Sequence, residues 1–306
     1  MIARKKRDVK KKYAKNKLIK KSIFWITLIL IVFLIWNSLF SGSNWEKKSK
    51  LVLVQAKTMG SVDILIFDPS NSEVVEFGIP ESTEVEVVGN LGIRKIGKLW
   101  DLSVDENKEG LLLRNTVEKN FLLPVDGWIG PDTNPISANY FDKIKFILIG
   151  NNTNLNLRDR LKIIIFLLKN PKSDVRQNFK DFSFLKEGIG EDGRQNYQIN
   201  GEITERIRSY FSEKYFFENN YKIMIKRGPE NSYLSEKVGK IIEILGAKPA
   251  YSTYNSDLEI EGCIIYTKDL YLSTKLTNIF NCKLMDKKEG VFDAVIYIGS
   301  GLEKEF

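Results

Sequence analysis

Residues 22–40, SIFWITLILIVFLIWNSLF, run for nineteen positions without a charge, a proline or a glycine. A helix needs about 20 such residues to cross a hydrocarbon core. Only 21 residues precede the run, and eleven of them are Lys or Arg against one Asp. Basic residues flank the cytoplasmic end of a first membrane helix. A cleaved signal peptide is the alternative, but its apolar core is shorter (about 7–15 residues) and ends in an A-x-A-like site. Here SGSNW follows the longer run. The pattern predicts a basic cytoplasmic tail (1–21), one membrane helix (22–42) and everything foldable outside the cytoplasm. Trp25, Trp36 and Trp45 suit interfacial positions near its ends.

The tail also explains the net charge. The chain carries +8 overall, yet beyond residue 21 it holds 36 Lys and Arg against 38 Asp and Glu. The basicity is therefore a topology signal, and no nucleic-acid partner is expected. The chain has no histidine, which excludes Ser-His-Asp and Cys-His catalysis and His-based metal sites. What remains is chemistry by carboxylates, Lys, Arg, Tyr or an oxygen-held cation. Cys263 and Cys282 are too few for a four-ligand zinc site. They could pair outside the membrane, although two buried free thiols are the favoured reading.

After a polar linker (41–50), strands are expected at 50–56, 62–68, 73–79 and 83–88, with a turn at Asp68-Pro69-Ser70-Asn71-Ser72. Helical stripes follow: Ile93, Ile96, Leu99 and Trp100, then Leu111 to Phe121, ending at Pro124. Residues 141–149 and 160–169 are apolar, and the second reads as a buried helix stopped by Asn170-Pro171. Residues 203–216 read as one amphipathic helix. A second domain begins near Tyr221: strand 221–227, helix 232–246 ending at Gly246, strand 263–268, helix 270–281, strand 292–299. The whole is an α/β architecture.

Two ordered sets of pieces resemble known domains. Ile79-Pro80 at a strand end, a helix after it, Thr116-Val117-Glu118, and Pro124-Val125-Asp126 resemble the first half of a LytR-CpsA-Psr domain. Residues 221–231, Leu245-Gly246, Ile265-Tyr266 and Ile298-Gly299 resemble the LytR C-terminal domain. The basic tail and anchor fit the same pattern. The resemblance implies a divergent LytR-CpsA-Psr-like α/β domain (50–216) and a small LytR C-terminal-like α/β domain (220–301) at the outer face of a bacterial membrane. It further implies phosphotransfer of glycopolymers from a polyprenyl-pyrophosphate carrier to peptidoglycan, with Arg on the pyrophosphate and Asp holding Mg²⁺. One departure counts against catalysis. Where that family has Arg-Asp-Thr after Ile-Pro, this chain has Glu81-Ser82-Thr83, so a carboxylate stands where a guanidinium would face phosphate.

Arg94, Lys95 and Lys98, expected to open the helix after Pro80, are the candidate basic rim for a lipid phosphate. Asp68 and Asp126 (with Asp63 and Asp142 weaker) are the candidate Mg²⁺ ligands. Asp174-Val175-Arg176-Gln177 and Asp192-Gly193-Arg194-Gln195 read as solvated loops. Residues 188–193 match G-x-G-x-x-G, but acids inside the loop speak against a dinucleotide, and no cofactor is expected beyond Mg²⁺ in a catalytic form. Tyr251 and Tyr254 read as strand aromatics. The favoured function is a membrane-anchored envelope module binding cell-wall glycan, polyprenyl lipid or a protein partner; the alternative is the phosphotransferase. An apolar tunnel with arginines at its mouth would favour the enzyme, and a collapsed core there would count against it.

Overall fold

The structure, a computed structural model, describes residues 45, 49–149, 152–170, 174–190, 193–201, 203–228, 231–253 and 260–302. The basic tail and the expected membrane helix lie outside the described residues. Among the described residues no helix is long and apolar enough to cross a membrane.

The first unit is built on strands β1 (Leu51–Ala56), β2 (Val62–Asp68) and β3 (Glu73–Ile79), each antiparallel to the next. Every residue of β1 and β2 is buried, as expected of strands covered on both faces. Alternate side chains feed two cores. Val52, Val54, Ile64, Ile66, Val75 and Phe77 enter one, and Leu51, Leu53, Leu65, Phe67 and Val74 the other. β6 (Gly127–Ile129) joins β1 in parallel and β7 (Asp174–Asn178) joins β3 in parallel, giving the order β6-β1-β2-β3-β7. Residues 174–177 are thus an edge strand and not the loop expected.

The first core lies under α1 (Leu99–Asp105), α2 (Leu111–Phe121) and α5 (Glu205–Phe211); the second lies under α3 (Tyr140–Leu148) and α4 (Leu157–Lys169). Asn139 and Asn156 cap α3 and α4 by accepting from Phe141 N and Asp159 N. Helix α4 is only half covered: Ile163 and Ile164 are buried while Ile165 and Leu168 are exposed. The buried helix expected there is therefore a surface one. Trp45, expected at a membrane interface, is instead buried against Phe67 and Phe166.

A second sheet caps the end of the unit beyond Pro80, in the order β5-β4-β9-β8. Its strands are β4 (Thr83–Glu86), β5 (Ile93–Lys95), β8 (Leu185–Ile189) and β9 (Gln195–Ile199). Arg94 and Lys95 therefore sit in a strand and Lys98 in a 3-10 turn, with the helix opening only at Leu99. Gly188 and Ile189 of the G-x-G-x-x-G stretch end β8, which pairs antiparallel with β9. Among the described residues of the stretch no helix opens.

The expected helix over 203–216 is broken into α5 and α6 (Lys214–Asn219) at Ser212-Glu213. Glu213 is almost fully buried and turned toward the second unit. That unit has the order β11-β10-β14-β12-β13, from β10 (Lys222–Arg227), β11 (Lys248–Thr253), β12 (Cys263–Thr267), β13 (Lys283–Asp286) and β14 (Ala294–Ile298). Helices α7 (Ser232–Leu245) and α8 (Leu270–Phe280) pack on it, and Gly246 ends α7 at φ +102°. Tyr251 is half exposed on β11; Tyr254 lies outside the described residues. Cys263 and Cys282 form a disulfide with a Cα–Cα distance of 4.8 Å, against the favoured expectation of free thiols. It ties β12 to the segment leaving α8.

The two units meet across a buried ionic seam. Lys275 of α8 bonds Asp126 (2.8 Å), Glu213 (3.0 Å) and the Lys50 carbonyl (2.8 Å). Burial alone would lower the Lys275 pKa, but the two carboxylates outweigh it and hold the ammonium above its usual range. Arg114 of α2 bonds the Val125 carbonyl and reaches the Asn278 carbonyl (2.5 Å) and that of Ile279 at the end of α8.

Candidate functional site

Three backbone segments converge where β3 ends in Ile79-Pro80. The β1–β2 turn is closed by Lys57 N to Ser61 O (2.8 Å) and Gly60 N to Lys57 O (2.9 Å). The 3-10 turn at Ile96–Lys98 leans on it, with Gly97 N donating to Glu81 O at 3.0 Å. A Cβ on Gly97 would stand 2.8 Å from the Gly60 carbonyl, and Gly60 itself has φ +79°. Both positions need glycine for this approach.

Above this floor opens a cleft of about 770 Å³. Lys57, Lys95, Lys98 and Arg194 line it, against the acids Glu81 and Asp101. Trp100 forms part of the wall, its ring 5.7 Å from that of Trp128. Arg194 and Gln195 are delivered by the β8–β9 hairpin. Parallel pairing of β9 with β4, and Glu84 accepting from Asn196 Nδ2 (2.7 Å) and Gln198 Nε2 (3.0 Å), fix that hairpin in place.

Lys57 links the cleft to a buried acid pair. Its ammonium bonds Asp63 and, at 2.7 Å, Glu76; Arg176 Nε lies 3.2 Å from Glu76. Burial, then the hydrogen bond with Glu76, pushes the Asp63 pKa up to about 6, with Lys57 opposing. Glu76 is also penalised by burial, but bonds from Asp63 and Lys57 and the nearby cations hold it below its usual range. Lys57 is raised despite desolvation, by the same two carboxylates.

Of the residues expected at a site, Lys95 and Lys98 line the cleft with Glu81. Arg94 is exposed beside them, Nη1 donating to the Ile93 carbonyl. Asp68 and Asp126 lie at the opposite end of β1, about 20 Å away at roughly 3.3 Å per residue. Neither fits a Mg²⁺ site. Asp68 accepts from Ser70 N, Asn71 N and Asn71 Nδ2 and pairs with Lys50 at 3.3 Å. Asp126 accepts from Val52 N and Lys275. Their oxygens are committed to the turn and the seam. Among the described residues no cluster of three or more metal-ligating side chains occurs. Sequence reasoning missed Lys57, Trp100 and Asp101. Arg194 was passed over as loop, because the pairing that brings its hairpin to the cleft spans more than a hundred residues.

Beneath the cleft the sheet and helices close on aromatic rings. Phe77 packs on Phe179 (5.1 Å), Phe182, Tyr210 and Phe211, and Phe121 on Phe179 and Phe184. A void beside Phe121 and Phe184 measures about 70 Å³, far below the roughly 300–1,000 Å³ of small-molecule pockets. The cleft is thus a polar, cation-rich surface site above a filled core. It suits an anion or an acidic sugar held by Lys and Arg, with one indole face beside it.

No family model matches the chain, and no curated protein does. Solved structures do resemble it. The crystal structure of B. subtilis TagT is 10% identical, with a TM-score of 0.36 over 53% of this chain and 89% of that one. TagT, a LytR-CPS2A-psr family protein, with bound octaprenyl pyrophosphate lipid gives the same score and identity over 53% and 88%. B. subtilis TagU is 14% identical, with a TM-score of 0.33 over 55% and 99%.

Proposed function

We propose that this chain is a single-pass, membrane-anchored cell-envelope protein whose outer units form a binding module for an anionic cell-wall glycopolymer, without phosphotransfer activity. The observation that carries the reading is the cleft at Pro80. Lys57, Lys95, Lys98 and Arg194 outnumber Glu81 and Asp101 there, so the site favours anions. Yet Glu81 stands where the resembling family places a guanidinium, and Phe77, Phe121 and Phe179 fill the core where a polyprenyl tail would need a tunnel. The ordered sequence pieces from Ile79-Pro80 to Pro124-Val125-Asp126 support the envelope setting. Residues 22–40 support the anchor, and the basic tail supports an inside N-terminus.

The test uses the purified full chain in detergent or bilayer discs, incubated with a phosphate-containing wall polymer and, separately, with a polyprenyl pyrophosphate and Mg²⁺. The expected result is retention of the polymer with no phosphate release. Phosphate release dependent on Mg²⁺ would establish the phosphotransferase instead. Retention of the lipid and not the polymer would move the binding site away from the cleft.

A further inference from the structure

Among the described residues, exposed large apolar side chains are mostly scattered, but seven of eighteen fall on α3, its end and α4: Tyr140, Phe141, Ile144, Leu148 and Ile149, with Ile165 and Leu168. Tyr140, Ile144 and Leu148 recur every fourth residue along α3, so they form one stripe. Phe141 is 80% exposed and Leu148 72%, values foreign to a helix whose apolar face is covered. Ile165 and Leu168 are a turn apart on α4, which packs beside α3 through Arg160 Nη1 to the Phe146 carbonyl (3.2 Å). Lys143, Lys145 and Lys169 flank the stripe, and the Lys143 ammonium lies 5.5 Å from the Tyr140 ring centre. Apolar stripe, aromatic residues and rimming lysines are the composition of a helix lying in a membrane interface.

The chain's own path says what covers this face. Trp45 is held on α4 at three points: its N–H donates to Asp159 Oδ1 (3.3 Å), its carbonyl accepts from Lys162 Nζ (2.5 Å), and its ring meets that of Phe166 at 6.0 Å. Phe40 ends the apolar run five residues earlier. Five extended residues reach at most about 17 Å, so a membrane-spanning segment ending at Phe40 would bring the bilayer within that distance of α4.

We infer that the α3–α4 face docks onto the lipid bilayer, with the apolar stripe entering the headgroup boundary and the lysines meeting anionic lipid. This rests on the membrane-anchor part of the proposed function. The docking fixes how the outer units stand on the membrane, where an anchor alone would leave them free to swing.

The test places a polarity-sensitive fluorophore on full-length Ile144→Cys and, separately, Leu168→Cys. Val291→Cys, exposed on the second unit, is the control. Each is reconstituted in phosphatidylcholine–phosphatidylglycerol vesicles with or without doxyl-labelled acyl chains. The expected result is a blue-shifted emission, quenched severalfold by doxyl lipid at 144 and 168 and unchanged at 291. Labels at 144 and 168 that behave like 291, in protein that still floats with the vesicles, overturn the docking and leave the anchor standing. A blue shift without doxyl quenching also overturns it, in favour of a protein covering the face. Protein that does not float with vesicles at all overturns the anchor reading itself.

Discussion

The two ends of β1 hold similar charges put to opposite uses. At its start, Lys50, Asp68, Asp126, Glu213 and Lys275 are drawn into a closed network, each ion facing another or a backbone amide. At its far end, Lys95, Lys98, Glu81 and Asp101 line an open cleft, and Lys57 is drawn inward from it. Buried charges tolerate no unpaired partner, so the first set is spent on holding the structure together. Exposed charges contribute little to stability, so Lys98, Glu81 and Asp101 can meet a ligand at little cost to the fold. The difference is solvent access and not residue type: Asp126 and Asp101 are the same side chain in different jobs.

The comparison breaks first, and most strongly, at the seam. Lys275→Met leaves Asp126 and Glu213 buried without their cation and is expected to cost about 3–5 kcal/mol in equilibrium urea unfolding. Adding Asp126→Asn and Glu213→Gln should recover much of that, because no charge then remains unpaired; failure to recover would mean that packing, not charge, governs the seam. Next in size is the disulfide. Cys263→Ser with Cys282→Ser opens a crosslink spanning 19 residues and should cost roughly 3 kcal/mol by chain entropy, seen as a lower thermal midpoint in non-reducing buffer.

A smaller effect tests the acid pair behind the cleft. The Asp63 pKa is raised in the folded state to about 6. The folded protein therefore keeps a proton that the unfolded chain releases near its ordinary value, and this group's contribution falls as pH rises toward 6 and is flat above it. Asp63→Asn removes that slope. Relative to the native chain the variant should gain roughly 1–2 kcal/mol between about pH 4 and pH 7, after allowance for water reaching the cleft side. A difference constant across pH would show that Asp63 is ionised throughout. The smallest stability effect belongs to the cleft rim. Lys95→Glu with Lys98→Glu should shift unfolding by less than about 0.5 kcal/mol, while retention of an anionic wall polymer falls roughly tenfold, about 1.4 kcal/mol. Loss of stability without loss of binding would assign these lysines to the fold.

The apolar strands 62–68 and 73–79 and the stripe of 111–121 were readable to the residue, because β-branched runs and helical spacing are local signals and the turn residues between them are explicit. The strands at 174–178, 185–189 and 195–199 were not. Each mixes polar residues with only one or two that reach the core (Val175, Leu185, Tyr197, Ile199); β7 and β9 become strands by pairing with β3 and β4, far away in sequence, and β8 by pairing with β9. The break at Ser212-Glu213 was invisible for the same reason: its cause is Glu213 reaching Lys275 and the Tyr271 hydroxyl across the seam. At the candidate site, Lys95 and Lys98 were legible from their place after Ile-Pro. Lys57 and Arg194 were brought there by a turn and a hairpin that carry no motif. Asp68 and Asp126 misled because a carboxylate at a strand end looks the same in sequence whether it holds a metal, caps a turn or neutralises a lysine from another unit.

Arg114 gives the seam a last consequence. Helix α8 finishes on Asn278 and Ile279 carbonyls whose donor is a guanidinium from α2, a residue more than 160 positions earlier. The helix borrows its terminus from a neighbour. Cut free, the second unit would carry a frayed end and an exposed Lys275, and the first would be left with Arg114 and Asp126 facing water. Each unit is in this sense a folding cofactor of the other, and together they make a single object, not two beads on a string.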